Sequence, residues 1–148
     1  MERTLSRHTT PVHLWIVGIV SLLWNSFGCY DYTMTKLDPA DYLGSMGLSQ
    51  AAMDYMTGLP AWLTAFWALG VWGSLAGSLL LLARSRHAVT AFAASLTGFV
   101  VSQVAEAILP RPAGVMSPAM YVVTGVIAVA LLAQLLYARR QAANGVLR

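Results

Sequence analysis

Seven residues in this chain combine a polar or ionisable side chain with a place in or beside a long apolar run: Asn25, Asp31, Tyr32, Thr64, Gln103, Glu106 and Thr124. Amides and hydroxyls of this kind suit hydrogen bonding to a small polar solute, and the two carboxylates could add a charge or a proton. Glu106, in "SQVAEAIL", is the clearly ionisable residue within an apolar span, and acids in such positions are functional candidates by default. It also lies about one turn from Pro110, where a glutamate can reach water or pair with Arg111 or Lys36. Asn25 interrupts the stretch "SLLWNSFGCYDYTMTK" about two turns before Asp31. An amide turned toward lipid would leave its donors and acceptor unpaired, at a cost of several kcal/mol. Asn25 is therefore expected to face the protein. Asp31, at the water boundary, reads equally well as a solvated acid closing the span.

Other chemistry is poorly supplied. Cys29 is the sole cysteine, so neither an internal disulfide nor a cysteine metal site is expected. His8, His13 and His87 are far apart, and no Ser–His–Asp set, phosphate-binding glycine loop or paired intramembrane acids can be picked out. Asp38, Asp41 and Asp54 do not follow the spacing of a calcium loop. No catalytic residue, metal or cofactor is expected, and the chain reads as a non-enzyme.

The elements that hold these residues follow from composition. Of 148 residues, 57% are hydrophobic and 10% charged, with a mean hydropathy of +0.63. Soluble domains carry about 25% charged residues, and so sparse a supply cannot clothe a small soluble protein. The pattern predicts an all-α polytopic membrane protein, a bundle of four transmembrane helices over residues 12–29, 61–83, 88–109 and 119–138. Pro60, Pro110 and Pro118 fall at span edges, where a missing N–H costs little. No small-x-small cleavage site follows the first apolar core, so that segment is expected to stay as an anchor. The segment 31–60 reads as an outer loop with short amphipathic helices, one capped by Asp38 with Pro39 at its first position and one capped by Ser49.

With the N-terminus inside, Arg3, Arg7, Arg84, Arg86, Arg139, Arg140 and Arg148 face the cytoplasm, and Lys36 and Arg111 face outward. This bias predicts that both termini are cytoplasmic. It also explains the basic balance without nucleic acid. Asn25, Gln103, Glu106, Thr64 and Thr124 are then expected in the outer halves of their spans, forming a polar pocket open to the outside. Gln134 is expected near the cytoplasmic surface.

Helical spacing gathers small residues into stripes. They are Gly18 and Gly28 on the first span, Gly70, Gly73 and Gly77 on the second, and Ser95, Gly98 and Ser102 on the third. Close approach through small residues is what lets helices associate in lipid, so these are expected packing faces.

The stretches "LWIVGIVSLLWNSFGCYDYTMT", "GLPAWLTAFWALGVWGSLAGSLLLLARSRHAV" and "LLYARRQAANGVLR" resemble a small family of uncharacterised bacterial four-span membrane proteins often labelled sugar transporters. Trp24–Asn25, Gly28, Asp31–Tyr32 and Pro60–Ala61–Trp62 carry the resemblance most specifically. It implies residence in the bacterial inner membrane and brings no catalytic or transport residue with it. Two readings follow. One is a non-catalytic membrane module, a homo-oligomer or part of a larger membrane complex, with the lipid bilayer as its surroundings. The other is an oligomeric transporter of a small polar, sugar-type solute. The unbroken spans, with polar groups off the midplane, favour the module.

Overall fold

A computed structural model describes residues 10–148; Arg3, Arg7 and His8 lie outside the described residues. Six helices follow in order: α1 (Val12–Leu37), α2 (Pro39–Ser45), α3 (Gln50–Thr57), α4 (Ala61–Leu82), α5 (His87–Ile108) and α6 (Pro118–Ala143). Among the described residues there is no strand, and α1, α4, α5 and α6 are each long and apolar enough to cross a membrane. The protein is an all-α, multi-pass membrane bundle with two short helices in its first loop.

The main departure from expectation is α1. It runs 26 residues instead of stopping at Cys29, so Asp31, Tyr32 and Lys36 are helical. Neither glycine nor proline interrupts the stretch from Cys29 to Leu37. The stop comes from Pro39, which disfavours helical geometry in the residue before it; Asp38 accordingly sits at φ −142°, ψ 65°. At 1.5 Å per residue the helix is roughly 39 Å long, so its end stands clear of a hydrocarbon layer of about 30 Å.

Local chemistry sets the other ends. Asp38 makes no side-chain capping bond to α2, contrary to expectation; its carbonyl accepts from Tyr42 N instead. Ser49 does cap α3, accepting from Ala52 N at 3.3 Å. Ser117 caps α6 in the same way, with Pro118 at the first helical position. The α4–α5 turn places Arg84 at φ +57°, with Ser85 N donating to Leu80 O at 2.8 Å.

The antiparallel α4–α5 pair is the most extensive contact; α1 lies against α4, and α6 against α5. Glycine makes this closeness possible. A Cβ on Gly98 would lie 2.7 Å from Phe66 O and 2.9 Å from Gly70 N, both backbone atoms. One on Gly77 would meet the Phe92 ring at 2.7 Å, and Ser95 Oγ donates to Gly70 O across the seam. Gly18 brings α1 onto Leu82, whereas Gly28 has only ordinary contact with Val71.

The two ends of the bundle differ in charge. Arg84, Arg86, Arg139, Arg140 and Arg148 belong to one, here the arginine end, and the loop end carries Lys36, Arg111 and the α2–α3 cap. Leu14, Leu81, Ala88, Phe92, Ala138 and Leu147 make a buried core at the arginine end. Beyond α6 the chain turns at Gly145, φ +71°, and runs back to the α4–α5 turn.

Candidate functional site

Asn25 sits at the midpoint of α1 and is only 4% exposed. Its Nδ2, with two hydrogens, faces three acceptors, Ser78 Oγ at 2.8 Å, Ser74 O at 3.1 Å and Gln134 Oε1 at 3.1 Å, so that one N–H is shared between two of them. One amide thereby joins α1, α4 and α6. Ser78 Oγ in turn donates to Ser74 O at 3.0 Å. Interhelical hydrogen bonds of this kind are worth about 0.6 kcal/mol each on average in a membrane. The cluster can fix three helices relative to one another.

The expected depth was wrong for two residues. Asn25 is central and not in the loop-end half, and Gln134, expected near the arginine-end surface, is buried beside it. Ser74 and Ser78 were missed because single serines on an apolar helix read as small packing residues. Their spacing of four, which puts both hydroxyls on one face, was the available signal.

The remaining candidates fall into separate groups. Tyr32 packs edge-on against Trp67 with ring centroids 4.9 Å apart, and Lys36 Nζ lies 5.5 Å from the Trp67 ring. Lys36 also reaches Thr64 Oγ1 at 3.4 Å, so it turns to Thr64 and not to Glu106. Asp31 accepts from Tyr42 Oη at 2.8 Å, tying α2 to the end of α1. Burial pushes the Tyr42 phenol up to about 12, and the Asp31 bond, the Asp31 charge and Tyr30 push the same way.

Glu106 is half-buried near the end of α5. The nearby Tyr55 phenol on α3 is raised first by burial and then by the Glu106 charge, while Arg111 works against both. Gln103 and Thr124 are half-exposed and join neither the Asn25 cluster nor Glu106 by a hydrogen bond among the described residues. The single pocket expected from the sequence is thus divided: Asn25, Asp31 and the Tyr32–Lys36–Thr64 group each have their own partners, and Asn25 shares no hydrogen bond with Glu106 among the described residues.

Of the residues expected to pack, Gly28 is only half-buried. Gly18, Gly70, Gly77, Gly98, Ser95 and Ser102 are buried, and Gly73 approaches Ser95. Ser102 Oγ, Thr35 Oγ1 and Tyr55 Oη are buried without a hydrogen-bond partner. All three belong to the loop-end half.

Two surface grooves are apolar. One of about 410 Å³ includes Trp62, Val101, Val104, Ala105 and Ile108; the other, of about 540 Å³, follows Val122, Gly125, Val126, Val129, Ala130 and Ala133 along α6. The second groove reflects how α6 packs. All its buried residues, Leu131, Gln134, Ala138 and Gln141, lie in the arginine-end half. Residues 118–130 contain none, and Val122 and Val129 are 67% and 69% exposed.

Comparison of the chain with family models, curated proteins and solved structures finds no match.

Proposed function

We propose that this protein is a non-catalytic membrane module that associates with further copies of itself through α6. The Asn25 cluster is the observation that carries the non-transport part of this reading. The central amide spends its donors on Ser74, Ser78 and Gln134, so the group best placed to bind a solute is already engaged by the bundle. Transporters commonly build their sites from broken helices and free polar groups; here the spanning helices are continuous and the Asn25 amide donates within the bundle. The self-association part rests on α6, whose first half carries a notch at Gly125 with no protein atom near it. Small residues on a lipid-facing helix permit close approach of a second helix.

The location goes with this reading. The arginines of one end, set against Lys36 and Arg111 at the other, favour cytoplasmic termini. The resemblance of the first and second spans to four-span bacterial proteins points to the inner membrane.

The test is oxidative cross-linking in native membranes with single cysteines on a Cys29→Ala background. Cysteines at Val122, Gly125 and Val129 are expected to give dimers, and cysteines at Ile16 and Ile19 on α1 are not. Monomers at every α6 position would overturn self-association. Sugar uptake into proteoliposomes that is abolished by Asn25→Leu would overturn the non-transport reading.

A further inference from the structure

We infer that the arginine end is a preformed binding site for the headgroup of an anionic phospholipid. The observation is a backbone clasp. Arg86 N donates to Arg148 O at 2.8 Å, and Arg148 N donates to Arg84 O at 2.8 Å. The two segments are pinned side by side, and Leu147 anchors the tail in the apolar core beneath. Arg84 is further held by donating from a guanidinium nitrogen to Thr10 Oγ1 at 2.6 Å.

Arg139 and Arg140 lie on the last turns of α6 just before this tail, and both are exposed, whereas the adjoining Ala138 and Gln141 are buried. They therefore project away from the core. Five arginines, Arg84, Arg86, Arg139, Arg140 and Arg148, belong to this end. All the acids among the described residues (Asp31, Asp38, Asp41, Asp54 and Glu106) belong to the loop end. An α-carboxylate on Arg148 would leave the balance strongly positive.

Charge and position choose the occupant together. Guanidinium groups bind phosphate oxygens through paired N–H donors, and the ends of spanning helices lie at headgroup depth. Basic pockets between helix ends take anionic headgroups on these terms. Because the clasp orders the chain in advance, less conformational freedom is lost on binding than with a loose basic tail. This inference holds whether or not α6 self-associates.

The experiment is lipid competition on the purified protein, read by native mass spectrometry and by thermal melting. Phosphatidylglycerol is the probe, phosphatidylcholine the neutral control and inorganic phosphate the soluble control. Phosphatidylglycerol is expected to be retained and to raise the melting temperature, with the other two ineffective. Arg139→Gln with Arg140→Gln removes exposed charges outside the clasp and is expected to lower the preference for phosphatidylglycerol about tenfold or more. Leu147→Asp, which frees the tail, is expected to lower it with all five arginines in place. Lys36→Gln with Arg111→Gln at the loop end is expected to leave it unchanged. An unaltered preference in the Arg139/Arg140 variant, equal loss in the loop-end variant, or equal stabilisation by inorganic phosphate would each overturn the proposal.

Discussion

The α4–α5 seam and the loop end are assembled on opposite principles. In the seam, backbones meet with no side chain between them at Gly98, and Ser95 bonds the facing backbone. At the loop end, α6 stands free for its first half, the cap helices rest on few bonds, and three buried hydroxyls lack partners. The free half of α6 is as apolar as the seam and also carries a glycine, yet only the seam uses its small residues to close a gap. A glycine in a membrane helix therefore acquires meaning from what lies opposite it, and Gly98 and Gly125 are the two extremes.

The largest expected effect breaks that contrast directly. In Gly98→Leu the new side chain meets Phe66 O and Gly70 N, which cannot step aside as a side-chain end would. A loss of about 3 kcal/mol or more is expected from overpacking, measured by reversible unfolding in mixed micelles. Gly125→Leu, with nothing within 4 Å, is expected to leave the monomer's stability within about 0.5 kcal/mol. Equal losses would erase the distinction between the regions.

Asn25→Leu comes next. The amide's two N–H donors to α4 and α6 disappear and the Gln134 carbonyl loses its donor, for an expected cost of about 2 kcal/mol. In a double-mutant cycle with Gln134→Leu the two losses should add to less than their sum, because they share one bond. Strict additivity would show that the bond contributes nothing. Gly18→Ala is expected to be milder, about 1 kcal/mol, since its Cβ meets the movable end of Leu82. The same unfolding assay ranks it.

The smallest effect concerns the cap. Tyr42 ionises at about 12, above the ordinary 10.0. A raised value means that the protonated phenol is favoured in the fold. Its stabilising contribution is complete below pH 10 and is lost as pH rises through about 12. Ultraviolet titration should show Tyr42 among the late tyrosines, and Asp31→Asn should bring that component down toward 10.0 by removing the acceptor's charge. A titration unchanged by Asp31→Asn would dissociate the cap from α1.

Much of this was legible in the residues. Low charge and four apolar runs dictate spanning helices, and the cost of a lipid-facing amide dictates that Asn25 turns inward. Its partners were not legible. Ser74 and Ser78 look like spacers, and the depth of Gln134 depends on how far α6 slides along its neighbours, which one chain's periodicity does not reveal. The extra length of α1 was hidden because Asp31, Tyr32 and Lys36 look like loop residues, although no glycine or proline stands between Cys29 and Pro39. The freedom of α6 was hidden for a different reason: a helix apolar on every side gives the same pattern whether protein or lipid covers it.

The central amide also limits how this protein could ever move. A slip of α1 by one residue would shift Asn25 by 1.5 Å and turn it by about 100°, far outside the reach of all three acceptors. The first helix is thus keyed like a shaft by a single pin. Piston strokes and axial twists would break these bonds, so a motion that keeps them carries α4 and the docked half of α6 along.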